Sequence, residues 1–293
     1  MIRIPEPPSS IFGNPISQPS ITWPWPRTNS NGWAVLLLSN SDQGFYQDQK
    51  DAVFEVDDSL VNPSQHSAAV IFDLDGTLID SVEDIANAVN DVLAELGFPT
   101  HDIEFYKQNI GGGINDLIQS SLPNHHSVEP EAYIERLDHY YIDHLNKSTK
   151  VYPYIYDTLD FLRSKSVPIA VVSNKRHPFT VDSVDKFFKD YIKITIGSGR
   201  RFPLKPDPAS SHYVLKQLNA KPENSYFVGD TEYDVKTAHN AGMISLGVVW
   251  GMSNKDKLES FNPNHLFKDP KSMLDFFKEN LWCICLLVIY LKF

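Results

Sequence analysis

The chain has 293 residues, 42% of them hydrophobic, with 37 acidic side chains against 26 basic ones and a formal net charge of -11 at pH 7. That length holds one large domain or two modest ones around a buried core, and the acidic balance excludes the basic face that a nucleic-acid partner requires. The 2 cysteines, Cys283 and Cys285, are too close for a good disulfide and too few for a zinc site, so reduced thiols in a cytosol-like compartment suit them.

Residues 1–66 carry Pro5, Pro7, Pro8, Pro15, Pro19, Pro24 and Pro26 among serines and asparagines. Such a stretch holds neither a helix nor a central strand, and we expect a mostly disordered extension. Its apolar run at 32–38 is short and lacks the basic start of a secretory signal. Arg3 and Arg27 against the single acid Glu6 in the first forty residues leave organelle targeting as the alternative to a cytoplasmic chain.

Ala69-Val70-Ile71-Phe72 then runs straight into Asp73-Leu74-Asp75-Gly76-Thr77. A short, wholly apolar run reads as a strand buried on both faces. Its carboxyl end is where open parallel sheets bind ligands. Two acids two residues apart on extended chain point the same way, and both ionise only with a cation or a proton between them. The stretch therefore asks for a metal, or for one acid and one base. A calcium loop of the EF-hand kind needs glycine sixth and glutamate twelfth; here Gly76 is fourth and Asp84 is twelfth.

Ser81 with Asp84 three residues on is a helix-start signature. Val82, Ile85, Ala86, Val89, Val92, Leu93 and Leu96 follow at helical spacing, closed by Gly97. Further helical patterns cover 103–108, 114–122 and 129–146, the last with Tyr133, Leu137, Tyr140, Tyr141 and Leu145 on one side. With no strand between 81 and 150, this is a small all-helical insert. Gly111-Gly112-Gly113 interrupts it, either as a plain loop or as backbone amides that approach a ligand closely.

Beyond the insert, strands and helices alternate. A helix at 157–164 leads to a β-branched strand at 167–172 that ends in Ser173-Asn174-Lys175. A hydroxyl and an amide there can donate to a phosphoryl oxygen, although Ser-Asn is also a common turn. Val181, Val184, Phe187 and Phe188 mark a helix, 192–196 a strand, and Leu204-Lys205-Pro206-Asp207-Pro208 a loop whose lysine is restricted by the proline after it. A helix with Val214, Leu215 and Leu218 precedes the strand Tyr226-Phe227-Val228-Gly229, which runs into Asp230 and Asp234. Those acids lie near a helix start, where they also compensate the dipole. A helix ending at Gly242 and a strand at 244–249 complete the alternation. The fold expected is α/β, a doubly wound, mostly parallel Rossmann-like sheet that carries the all-helical insert. The apolar run Leu281 to Leu291 is too short for a membrane helix of about 20 residues; it is read as an extra strand, a partner surface or a membrane-surface contact.

Four segments in order resemble the motifs of the haloacid dehalogenase-like phosphohydrolases: Asp73-x-Asp75-Gly76-Thr77, Ser173 at its strand end, Lys205-Pro206-x-Pro208, and Gly229-Asp230-x-x-x-Asp234. The resemblance covers residues 67–280, and its cap is similar to that of phosphoglycolate phosphatases. It implies a core of 67–82 and 149–280, a helical cap of 83–148, and a tail of 281–293 outside the pattern. It implies that Asp73 is a nucleophile forming an aspartyl-phosphate, that Asp75 is the general acid and base, and that Lys205 offsets charge. Gly76, Thr77, Ser173, Asn174, Gly112 and Gly113 would bind substrate. Mg²⁺ would be held by Asp73, the backbone carbonyl of Asp75, and Asp230, with Asp234 supporting. Dehalogenases and phosphonatases of the superfamily lack the second acid, which is present here as Asp75. β-Phosphoglucomutases carry histidine where this chain has Ile85. The activity implied is hydrolysis of a small phosphorylated metabolite, 2-phosphoglycolate first, by a monomer or homodimer. Nucleotides, pyrophosphate and sugar phosphates are the alternative substrates, a phosphomutase the alternative reaction, and a non-catalytic phosphate-binding module the alternative class.

Overall fold

In this computed structural model, residues 27–28, 34–35, 68–124, 130–199, 201–253 and 255–290 are described. Apart from the antiparallel pairing of Arg27–Thr28 with Ala34–Val35, residues 1–66 lie outside them, and so does the expectation of a disordered extension. The strands and helices of residues 68–290 belong to the unit Val56–Phe293.

The apolar run forms Val70–Phe72 (β1), buried throughout. The chain turns through Asp73–Leu78 into Ile79–Asp80 (β2), which pairs antiparallel with Lys150–Val151 (β3). Between β2 and β3 lie Val82–Glu95 (α1), Ile103–Asn109 (α2), Ile114–Ser121 (α3) and Pro130–His144 (α4). Then come Ile155–Ser164 (α5), Ile169–Arg176 (β4), His177–Phe187 (α6), Ile192–Ser198 (β5), Ala209–Gln217 (α7), Tyr226–Gly229 (β6), Glu232–Ala241 (α8) and Ile244–Val248 (β7). Lys255–Glu259 (α9), His265–Phe267 (β8) and Pro270–Tyr290 (α10) follow.

The sheet has 6 strands in the order β8-β7-β6-β1-β4-β5, every neighbouring pair parallel. Alternate residues of β1 feed two separate cores, as the period of an extended chain requires. Val70 and Phe72 pack with Leu159 and Leu162 of α5 and with Met273 and Phe277 of α10. Ala69 and Ile71 pack with Val214 and Leu215 of α7 and with Ala238 of α8. Each fully buried Leu or Phe of these layers contributes about 1.5–3 kcal/mol. This is the doubly wound α/β architecture that the alternation implied. The cap has its own core, in which Val89, Leu93, Tyr106, Leu117, Tyr133 and Tyr141 meet Phe179 of α6.

Four local readings change. α1 begins at Val82 as expected, but Ser81 makes no side-chain cap. Its hydroxyl donates to Asp75 Oδ1 at 2.5 Å. Asp84 instead accepts from the backbone of Ser148 and Thr149 and from the Thr149 hydroxyl, at 2.8, 3.1 and 2.5 Å, tying the cap's exit to its entry. β4 continues past Val172 to Arg176, which still pairs with Ser198. β8 was not foreseen, because three residues are too few to show a period. The tail beyond 281 is no extra strand: α10 starts at Pro270, with Asp269 capping the backbone N–H of Ser272 at 2.8 Å. It runs through to Tyr290, with Leu281 buried beside Phe277. No helix among the described residues is long and apolar enough to cross a membrane.

Candidate active site

The parallel topology brings the carboxyl ends of β1, β4 and β6 side by side. β1 delivers Asp73 and Asp75, β4 delivers Ser173, Asn174 and Lys175, and the turn from β6 into α8 delivers Asp230 and Asp234. Lys205 arrives from the loop before α7. The turn after β1 needs a glycine. Gly76 has φ +82°, and a Cβ there would lie 2.3 Å from Asp230 Oδ2.

Carboxylate oxygens of Asp73, Asp230 and Asp234 all lie within 4.8 Å of one another, and all three residues are buried. The buried ammonium of Lys205 stands 2.7 Å from Asp73 Oδ1 and 2.6 Å from Asp234 Oδ1. Asp230 accepts from the Thr77 hydroxyl at 2.9 Å and from the Met252 backbone at 2.7 Å. Asp234 Oδ2 closes a capping box with Thr231 at the start of α8. Asp73 Oδ1 is different: beyond the ion pair with Lys205 it has no hydrogen-bond donor among the described residues.

Burial pushes Asp73 up to about 6, against the pull of Lys205 and with Asp234 adding to the rise. Burial, then Asp73 and Asp234, hold Asp230 well above the usual carboxylate range. Burial pulls the Lys205 ammonium down, but Asp234 and Asp73 outweigh it and keep it above the ordinary lysine value. Three carboxylates thus share one ammonium, and the cluster is short of positive charge. A hard divalent cation bound by oxygen donors fits both that deficit and the donorless oxygen of Asp73.

A second buried pair lies beside the first. Lys175 Nζ is 2.8 Å from Asp75 Oδ1 and donates to the Tyr141 hydroxyl of α4 at 2.5 Å. Burial pushes Tyr141 up to about 12, with Lys175 pulling the other way. Lys175 was not singled out from the sequence. The available signal was its place two residues after Ser173 on extended chain, which puts both on one side.

These groups floor a cavity of ≈ 90 Å³. Asp73, Asp75, Ser173 and Lys205 line its polar end, and Val89, Leu117, Leu137 and Tyr141 of the cap line the other. Arg176, ion-paired with Asp138 of α4, also lines it. Of the residues expected to bind substrate, Ser173, Asn174 and Gly113 reach this cavity, as does Gly111. Gly112 lines a separate depression with Asp116 and Tyr233, and a Cβ on it would run into both. The Thr77 hydroxyl is engaged by Asp230, and Gly76 contributes closeness of backbone rather than a cavity wall. Asp230 and Asp234 stand behind Asp73. The segment after β7 was missed altogether. Trp250 donates to the Thr77 carbonyl at 3.1 Å, and Met252 contributes its backbone N–H, a role with no side-chain signature.

Comparison with known proteins bears on this arrangement. The family profile described as haloacid dehalogenase-like hydrolase matches residues 70–248. A phosphoglycolate phosphatase of Pseudomonas putida is 33% identical over 211 residues, covering 70% of this chain and 78% of that protein. One from Aquifex aeolicus is 32% identical over 206 residues, covering 70% of this chain and 94% of its own length. Among solved structures, a predicted phosphoglycolate phosphatase from Haemophilus somnus superposes with a TM-score of 0.65 at 26% identity, covering 73% of this chain and 98% of that one. A haloacid dehalogenase-like family hydrolase from Streptococcus pneumoniae gives 0.65 at 25% identity over 72% of this chain and 98% of that one. The chain is an enzyme of the haloacid dehalogenase-like hydrolase family, phosphoglycolate phosphatase-like in sequence.

Proposed function

We propose that this chain is a magnesium-dependent phosphatase that hydrolyses a small phosphate monoester, 2-phosphoglycolate in the first place, through an aspartyl-phosphate on Asp73. The observation that carries the reading is the pairing of Asp73 and Asp75 at the polar end of a small cavity, with Lys205 against the first and Lys175 against the second. Asp73 attacks phosphorus as the bond to the ester oxygen breaks, and Asp75 protonates that oxygen. Asp75 then takes a proton from the water that attacks the phosphoenzyme, releasing Asp73 and phosphate. Ser81 and Lys175 both donate to Asp75 Oδ1, which leaves Oδ2 for the proton in transit. Lys205 offsets the repulsion between a carboxylate and a phosphoryl dianion, and Ser173 offers its hydroxyl to a phosphoryl oxygen. Asp73 and Asp230, with the backbone carbonyl of Asp75, would hold Mg²⁺, with Asp234 supporting from behind, and the ion would supply the remaining neutralising charge.

The substrate follows from size and charge. The cavity is far smaller than the roughly 300–1,000 Å³ pockets that take drug-sized ligands. Its cap wall is apolar except for Asp138 and the Tyr141 hydroxyl, and Arg176 at the end of β4, shared with Asp138, is the cation there that a short carboxylate arm could meet. The test is phosphate release from 2-phosphoglycolate, nucleoside monophosphates, pyrophosphate and hexose phosphates, with Mg²⁺ and with a chelator. We expect the highest kcat/KM for 2-phosphoglycolate. A competitor ahead by tenfold, about 1.4 kcal/mol, overturns the substrate, and release indifferent to chelation overturns the metal.

A further inference from the structure

Asn174 and Lys175, adjacent near the end of β4, each join one piece of the cap to one catalytic residue, Asn174 to Lys205 and Lys175 to Asp75. The Asn174 amide donates to the Gly111 carbonyl of the cap loop at 2.9 Å and to the Lys205 carbonyl at 3.2 Å. Its Oδ1 accepts from the Lys205 backbone N–H at 2.8 Å. Both of its N–H donors are therefore in use, and none is left for a phosphoryl oxygen. Lys175 holds Asp75 on the core side and the Tyr141 hydroxyl on the cap side. Neighbouring residues of a strand point to opposite sides, so one reaches the Lys205 loop and the other reaches Asp75. The cap loop comes this near because it is bare: a Cβ on Gly111 would lie 3.1 Å from Thr231 Cγ2, and one on Gly113 would lie 3.2 Å from Leu204 Cδ1.

We propose that Asn174 and Lys175 are positioning residues that couple seating of the cap to placement of Lys205 and Asp75. With the cap seated, both side chains have all their partners. Lifting the cap removes the Gly111 carbonyl from one and the Tyr141 hydroxyl from the other. Water then takes those places, so each side chain exchanges a fixed partner for mobile ones and holds its catalytic residue less firmly. An ester too large for the cap to seat over would be bound yet turned over slowly. This inference rests on the phosphatase reading above.

Two measurements test it on the full chain. The first is deuterium uptake of the peptides spanning residues 103–118 and 200–210 in the ligand-free protein. Asn174→Ala should raise uptake in both peptides and leave the central strands β1 and β6 unchanged. The second is a double-mutant cycle of Tyr141→Phe with Lys175→Met, read as kcat and KM on 2-phosphoglycolate. Tyr141→Phe alone should lower kcat about tenfold with KM moving less than about threefold, and should add less than about twofold in the Lys175→Met background. Tyr141→Phe also serves if Asn174→Ala does not fold. Independent effects of Tyr141 and Lys175, or Asn174→Ala raising KM at constant kcat, overturn the coupling and return Asn174 to substrate binding. Unchanged uptake in the cap peptide overturns it as well. Failure of the phosphatase reading shows separately, as absence of phosphate release from the wild-type protein or retained turnover in Asp73→Asn.

Discussion

Gly76→Ala probes a crowded point of the site. At φ +82°, any residue with a Cβ pays about 1–2 kcal/mol for the left-handed backbone. The added methyl would lie 2.3 Å from Oδ2 and 2.7 Å from Cγ of Asp230. That carboxylate cannot step aside freely. It is held by Thr77 at 2.9 Å and Met252 at 2.7 Å, and Gly251 backs it so closely that a Cβ there would lie 2.4 Å from Oδ2. Overpacking of this kind costs about 1–3 kcal/mol, so the substitution should remove roughly 2–5 kcal/mol in all. Urea unfolding at constant m-value reads that loss as a lower midpoint. The displaced Asp230 should also raise the Mg²⁺ concentration for half-maximal phosphate release by about 10–100-fold, the usual effect of disturbing a ligand's support. A variant within about 0.5 kcal/mol of wild type, with the same magnesium dependence, would refute the crowding and the role given to Asp230 together.

Asp73→Asn keeps the volume and removes the nucleophile, so steady-state turnover should vanish while thermal unfolding is retained; turnover above background excludes a covalent step there. Lys205→Ala removes one charge about 4–5 Å from the phosphoryl group at an effective dielectric near 20, costing on the order of 3 kcal/mol in the transition state. That is about a hundredfold in kcat/KM, and a loss of only a few-fold would make Lys205 a bystander. Burial raises Asp73 from 3.8 to about 6, so its contribution to metal-free stability is complete below the unfolded value and is lost as pH rises through about 6. The stability difference between wild type and Asp73→Asn, followed by urea midpoints, should therefore move against wild type with rising pH and recover on adding Mg²⁺; movement in its favour contradicts the burial account. Removing residues 1–66 should leave kcat/KM unchanged, since every motif follows them, and a folded but inactive truncation would make the extension part of the site.

What the sequence made legible was whatever depends on neighbours along the chain. The run Val70–Phe72 is apolar without a break because β1 is covered on both faces, and the acids that follow mark its carboxyl end. The same logic places Ser173 and Asp230. Interactions that jump along the chain left no such trace. Ser81 and Asp84 have the spacing of a capping box, yet Ser81 serves Asp75 and Asp84 serves Thr149. Lys175 gains its meaning from Asp75, 100 positions away, and from a tyrosine of the cap. Three consecutive glycines carry no periodicity, so nothing in their order shows that Gly113 faces the cavity and Gly112 the depression beside it. The apolar run from Leu281 was read apart from the helix it extends because an unbroken apolar run shows no period of its own, unlike Met273 and Phe277, which stand at helical spacing among Asp275, Lys278 and Glu279.

The short ladder of β2 with β3 has an evolutionary consequence. Ile79 pairs with Val151 and Asp80 with Lys150, so the chain leaves and re-enters the core at adjacent positions, about 4.5–5.5 Å apart in such pairs. A tight hairpin turn could close that gap, and so could a segment of any length. Selectivity can therefore be inherited apart from chemistry: a different insert spliced between Asp80 and Lys150 would meet the same Asp73, Asp75 and Lys205. The graft has to bring little with it beyond one carbonyl for Asn174, one hydroxyl for Lys175 and one hydroxyl for Asp75 in the place of Ser81.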